Sequence, residues 1–300
     1  MPDAAASPDQ PRSKPSVWQA FVQPAAWTMF FFGFASGLPF LLVAGTLAYW
    51  LKDNGIDLKS ITLIASAGLA YTLKFLWAPL VDRWVLPLFG RLGLRRGWIL
   101  FALALVMVAL LAMAQLTPDR LAPFVWVTLV AAFAGATLDI AVDAYRVEIA
   151  PRSAQGALLA TYSLGYRIAL IITGALALVL ADHLPWPTVY RVMALVLLVP
   201  MLAVLFAREP AIQRERAHNW AVGLRDGVVG PFADFFQRFG PRIALGLLAF
   251  ILLAKMSDQS LGGGIMAPFY IDQGYTKTEI GAISKVYGIW VGIAGVFLAG

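Results

Sequence analysis

Apolar residues in this chain run in long stretches, not in short alternating patterns. Eight such stretches stand out, at residues 27–50, 61–81, 97–116, 121–143, 157–181, 189–207, 243–271 and 280–300. A helix needs about 20 apolar residues to cross a bilayer, and a barrel strand only about 10 in alternation. The pattern therefore predicts an all-α integral membrane protein. Several stretches hold charged residues well inside, where a charge is expensive and is generally kept for a pathway, a relay or a gate.

Composition supports the membrane reading. Of 300 residues, 60% are apolar and 13% charged, against about 25% charged in soluble domains. Cysteine is absent, which excludes disulfides and thiol chemistry. The two histidines, His183 and His218, fall in different predicted loops, so no metal site is expected. The net charge of +6 comes from basic residues in short loops, the pattern of membrane insertion rather than of nucleic-acid binding. Arginine and lysine concentrate in the N-terminal tail and in the second, fourth and sixth loops, which places the N-terminus in the cytoplasm. The organisation expected is a cytoplasmic tail over residues 1–26, a six-helix bundle over 27–207, a cytoplasmic connection over 208–240, and the first two spans of a second bundle over 241–300. Phe232, Phe235, Phe236 and Phe239 recur at helical spacing in the connection. Such a stripe suits either the inner membrane interface or the underside of the bundle.

An internal repeat shapes the architecture. Residues 49–61 read YWLKDNGIDLKSI, and residues 268–280 read PFYIDQGYTKTEI. Asp53, Gly55 and Ile61 recur as Asp272, Gly274 and Ile280 at one offset of 219. Both copies join an odd span to the next even one. Repeated six-helix halves are a transporter construction. By this offset Gly300 corresponds to Val81, inside a span, so the native protein is expected to continue to at least twelve spans.

The candidate chemistry lies in the charged spans. Asp82-Arg83 and Arg95-Arg96 flank the second loop and resemble the loop signature of the major facilitator superfamily. Ala78 stands where that signature has glycine, and the spacing to the basic pair is longer. An acid there can pair with a neighbouring helix in one state and release it in another, which makes Asp82, Arg83, Arg95 and Arg96 a candidate gate. The alternative is a fixed topology determinant. Lys74, two turns earlier, needs a polar cavity, a carboxylate partner, or a path to the interface. Asp139, Asp143 and Arg146 share one helix face at i, i+4 and i+7. Two carboxylates one turn apart repel, which favours a shared proton, so Asp139 and Asp143 are candidate coupling residues; the alternative is an ion-pair network with Arg146 or Arg167 that only holds helices together. Tyr162 and Tyr166 could stack on a sugar ring, and Arg167 could clamp a carboxylate or bond to Asp139 or Asp143. Lys255, Asp258 and Gln259 precede three glycines in the seventh span, and Lys285 lies in the eighth; all four are candidate cavity residues.

The segments FGFASGLPF (32–40), YTLKFLWAPLVDR (71–83), DIAVDAYRVEI (139–149), GYR (165–167) and YIDQGYTKTEIG (270–281), in that order, resemble the AmpG muropeptide permease family. The resemblance runs from about Phe32 to the end of the chain. It implies a major facilitator type helical bundle in a Gram-negative inner membrane. The family imports anhydro-muropeptides, which are anionic sugar-peptides, on the proton gradient. That implies a monomer in the lipid bilayer with no cofactor beyond the coupling proton. A related carrier for an acyl-CoA, or a drug exporter, is the alternative. A membrane enzyme is disfavoured, because no histidine or cysteine lies in a span.

Overall fold

The computed structural model describes residues 23–117, 120–211, 229–259, 265–288 and 291. Among them, five helices are long and apolar enough to cross a membrane, spanning Pro24–Asp53, Leu94–Met113, Leu121–Ile149, Gln155–His183 and Trp186–Phe206. The protein is an all-α, multi-pass membrane protein. Exposed apolar side chains such as Val108, Trp126, Leu195 and Phe206 give these helices a surface compatible with lipid.

The first span is two helices in line, α1 (Pro24–Leu42) and α2 (Gly45–Asp53). Pro39 lies inside α1 and cannot donate to the ladder, and the helix gives way four residues later. Other helices satisfy the freed groups. The Tyr190 hydroxyl donates to the Leu42 carbonyl at 2.8 Å, and Thr46 donates to the Thr173 carbonyl at 2.6 Å.

The second span departs from the continuous helix expected over residues 61–81. It is built from α3 (Leu58–Ala65), a tight turn, α4 (Leu69–Leu73), the tight turn Lys74–Leu76 and α5 (Ala78–Arg83). Leu73 and Trp77 sit near ψ 0, outside regular helix. Pro79 starts α5 and cannot continue the preceding ladder. Irregular backbone at membrane depth persists where protein or a polar cavity satisfies it.

The remaining long helices are α6 (Leu94–Met113), α7 (Leu121–Ile149), α8 (Gln155–Ile171) running through a π-turn into α9 (Ala177–His183), and α10 (Trp186–Val196) with α11 (Leu198–Phe206). α7 runs six residues beyond its expected end at Asp143, so Arg146 and Glu148 stay on the helix. α1 and α8 pack along their length. Small residues allow it: a Cβ at Gly33 would strike the Tyr162 carbonyl, one at Gly37 would meet the Tyr166 carbonyl at 2.7 Å, and one at Gly165 would strike the Phe30 carbonyl. Gly33 and Gly37 form the G-x-x-x-G spacing that brings membrane helices close.

α12 (Gly230–Gln259) is kinked at Gly240, whose φ of 72° precedes Pro241. The phenylalanine stripe lies on the arm before the kink. Phe232 meets Phe75 of the second span at 5.7 Å, while Phe239 stays exposed.

α13 (Met266–Asp272) and α14 (Lys277–Ile280) frame the second copy of the repeat, and the two copies share their backbone. Ile56 N–H bonds to the Leu51 carbonyl and Gly55 N–H to Lys52; Tyr275 N–H bonds to Tyr270 and Gly274 N–H to Ile271. This is one Schellman closure made twice. It needs positive φ at the glycine, observed at Gly55 (74°) and Gly274 (84°). Each loop then starts a helix two residues on, with Asp57 capping Ser60 and Thr276 forming a capping box with Glu279. These bonds hold the Asp57 and Glu279 carboxyls below their usual pKa, so the caps contribute fully above the ordinary carboxylate range and are lost as pH falls below it.

The two loops are joined crosswise. Asp53 of the first copy accepts from Lys277 of the second at 2.6 Å, and Asp272 of the second pairs with Lys52 of the first at 2.7 Å. Trp186 donates to Asp53 at 2.7 Å, and Asp182 accepts from Thr278. In a double-mutant cycle on thermal unfolding, Asp53→Ala and Lys277→Ala should show a coupling of about 0.5–3 kcal/mol; simple additivity would mean that the pair does not join the loops.

Candidate functional site

α7 presents Asp139, Asp143 and Arg146 along one face, and the broken second span brings Lys74 to them. Lys74 Nζ lies 3.5 Å from Asp139 Oδ2 and 3.3 Å from Asp143 Oδ2. Arg146 reaches the other oxygen of Asp143 at 3.7 Å. The break is pinned in register with α7 because Trp77 donates its indole N–H to Thr137 Oγ1 at 3.0 Å. Lys74 thus has the carboxylate partners its depth requires. One ammonium shared by two carboxylates offsets their repulsion. A proton arriving on either carboxylate weakens its hold on Lys74. Asp139 is the more enclosed of the two, with 16% of its side chain exposed against 48% for Asp143.

An aromatic wall adjoins the charges. Tyr162 and Tyr166 stack with centroids 6.1 Å apart, and Phe40 meets Tyr71 at 5.4 Å and Tyr166 at 6.5 Å. Arg167 is half-buried and forms no ion pair among the described residues, so the bond to Asp139 or Asp143 considered from sequence is not made.

A second network closes the end of the bundle opposite the repeat loops. Arg95 is 1% exposed and donates twice to Glu148, at 2.8 and 2.6 Å, and once to Asp82 at 2.9 Å. Glu209 accepts from the backbone N–H of Arg95 and of Arg96 at 2.8 and 3.1 Å, capping the N-terminus of α6. Arg96 donates to the carbonyls of Val204 and Leu205 at the end of α11. Three of the four residues expected at this end are therefore joined. Arg83 is exposed and takes no part among the described residues.

Comparisons with known proteins show the family to which the chain belongs. A family model described as Major Facilitator Superfamily matches residues 17–300. A protein of Rickettsia conorii (strain ATCC VR-613 / Malish 7) with AmpG 4 in its name is 37% identical over 288 residues, 95% of this chain and 69% of that protein. The anhydromuropeptide permease of Escherichia coli (strain K12) is 38% identical over 283 residues, 93% of this chain and 55% of the permease. The chain belongs to the AmpG family of the major facilitator superfamily. It is a transporter and not an enzyme.

Within this AmpG-family chain, the side chains of Lys255, Asp258, Gln259 and Lys285 lie outside the described residues, as does the glycine run 262–264. Sequence reasoning missed Glu148, Glu209, Thr137 and Trp77 as partners. Glu148 carried a usable signal, since it continues the charged sequence of α7 beyond Asp139, Asp143 and Arg146. Glu209 carried none, because its role depends on α11 ending beside α6.

Removing Arg95 leaves Glu148, 7% exposed, without its bidentate partner. Arg95→Ala should lower unfolding stability in detergent by about 3–5 kcal/mol, and Arg95→Lys should fail to restore it, because an ammonium cannot reproduce the fork. Recovery by lysine would mean that charge alone matters there.

Proposed function

We propose that this protein imports anhydro-muropeptides across a Gram-negative inner membrane by proton symport, as a monomer with its N-terminus in the cytoplasm. The name of the Escherichia coli relative supports the cargo, and the arrangement around Lys74 supports the coupling. With both carboxylates ionised, Lys74 is held by Asp139 and Asp143 together. A proton entering the pair past Asp143, the more exposed carboxylate, leaves Lys74 with one ionised partner and makes the ammonium available to a cargo carboxylate. Arg167 and Arg146 are further cations for an anionic sugar-peptide, and Tyr162 and Tyr166 offer ring faces to its sugar. Lys255, Asp258, Gln259 and Lys285 would contribute from the second half.

Alternating access needs one end to open while the other closes. The crossed pairs of Asp53 with Lys277 and Lys52 with Asp272 join the repeat copies at one end. They would part when that end opens to cargo. At the other end Asp82, Arg95 and Arg96 would form the rim against which the second half closes, with Arg83 beside them.

The observation that carries this reading is the single lysine shared by two carboxylates inside the bundle. Its test is uptake of labelled anhydro-muropeptide into proteoliposomes holding the full-length protein, with and without an inward proton gradient. Asp143→Asn should reduce gradient-driven uptake about tenfold or more, equivalent to losing one charge-assisted contact (~1.4 kcal/mol), while exchange of cargo without a gradient persists. Undiminished gradient dependence in the variant would remove Asp143 from coupling. Absence of uptake by folded wild-type protein would remove the cargo assignment.

A further inference from the structure

Among the described residues, four buried polar side-chain atoms have no hydrogen-bond partner: Ser36 Oγ, the Tyr71 hydroxyl, Asp139 Oδ1 and Arg146 Nε. Native proteins leave few such atoms, because each costs about 1–3 kcal/mol. Here three of the four gather at one place, although they come from three different helices. The Tyr71 hydroxyl lies where a Cβ on Gly135 would stand, beside Pro39. Gly135 is one turn before Asp139 on α7, so Tyr71 reaches the level of that carboxylate. Ser36, fully buried on α1, lies close enough to Asp139 and to Tyr162 to turn its hydroxyl toward either. Gly135 is what admits Tyr71; any side chain there would displace the hydroxyl.

These three groups differ in kind from the ion pairs next to them. Lys74 engages Asp139 Oδ2 and, with Arg146, Asp143, leaving Asp139 Oδ1 outside these ion pairs. Beside it stand two hydroxyls that can each donate and accept, with the rings of Phe40 and Tyr166 close by. A carboxylate oxygen and two hydroxyls beside aromatic rings fit a pyranose, which offers hydroxyls at its edge and C–H groups on its face. The fourth unpartnered atom, Arg146 Nε, lies seven residues along α7 from Asp139, about 10 Å on a helix. The arrangement suits a guest with hydroxyls at one end and a carboxylate roughly 10 Å away.

We propose that Ser36, Tyr71 and Asp139 Oδ1 form a sugar subsite that reads the hydroxyl edge of a cargo pyranose, and that Asp139 therefore serves cargo through one oxygen and Lys74 through the other. Gly135 makes room in the subsite for the Tyr71 hydroxyl. The proposal rests on the reading of the cargo as a sugar-peptide.

The test separates sugar binding from transport. Binding of the peptide-free disaccharide, N-acetylglucosaminyl-anhydro-muramic acid, to the full-length protein in detergent is followed by calorimetry for wild type, Tyr71→Phe and Ser36→Ala. The same disaccharide, and separately the sugar-free peptide, then compete with labelled muropeptide uptake in proteoliposomes. Each variant should bind the disaccharide about 5- to 30-fold more weakly, the equivalent of one lost hydrogen bond. Competition by the peptide and the pH dependence of uptake should stay as in wild type. Wild-type uptake of muropeptide without disaccharide binding, or with equal binding by both variants, overturns the subsite and leaves the transport reading standing. Disaccharide binding that weakens in the variants, without any muropeptide uptake, retains the subsite and removes the import reading. A shifted pH profile with disaccharide affinity unchanged makes Ser36 and Tyr71 proton relays instead, and also overturns the proposal. Tyr71→Phe keeps the ring and its contact with Phe40, and Ser36→Ala removes one oxygen from a buried site, so both substitutions leave the packing in place.

Discussion

A lysine at membrane depth has to be neutralised, and Lys74 is neutralised by sharing. Its ammonium lies within 3.5 Å of Asp139 and 3.3 Å of Asp143, which stand one helical turn apart. Neither the lysine nor the pair of carboxylates is tolerable alone in that setting. The contact also depends on an irregular backbone. Lys74 sits on a tight turn between α4 and α5, and Trp77 fastens that turn to Thr137 of α7. A straight second helix would present residue 74 elsewhere. The break and the ion pairs are one feature.

Around this centre the scaffold uses two unlike devices. α1 and α8 approach through Gly33, Gly37 and Gly165, where backbone meets backbone and no side chain fits. In lipid, helices gain little from burying apolar surface against each other, and close van der Waals contact replaces that gain. The end holding Arg95 uses charge instead. There one buried guanidinium gathers Asp82 and Glu148, while Glu209 caps the helix that carries it. The first device sets the distance between helices beside the site. The second fixes the relative height of α5, α6, α7 and α11.

The repeat loops add a third constraint, acting between the two copies. The same Schellman closure recurs 219 residues apart, with glycine at positive φ in each. The two acids it presents, Asp53 and Asp272, pair with lysines of the opposite copy. These side chains are partly exposed, so each pair is modest in strength and is broken at modest cost. That is suited to an end that opens and closes, whereas the network around buried Arg95 and Glu148 is suited to holding its own helices together.

The sequence by itself determined the membrane class, the helical fold, the repeat and the charged face of α7. Each follows from local periodicity: apolar length sets a span, i, i+4 spacing sets a face, and a recurring Asp-x-Gly sets a turn. The family resemblance also rested on local motifs. The partners were decided only by tertiary structure. Glu148 and Glu209 are ordinary acids until α6 and α11 are brought beside them. Arg167 had two partners available on paper and takes neither among the described residues. The second span read as one apolar run, because hydropathy does not register that Pro79 and the contact of Trp77 with α7 bend its path. Ser36 and Tyr71 look like unremarkable residues in apolar helices. Their meaning comes from Gly135, 64 residues past Tyr71, which leaves room for a hydroxyl one turn before Asp139. Local pattern fixes what a residue can do, but which residue it faces depends on helices that meet only after the chain has folded.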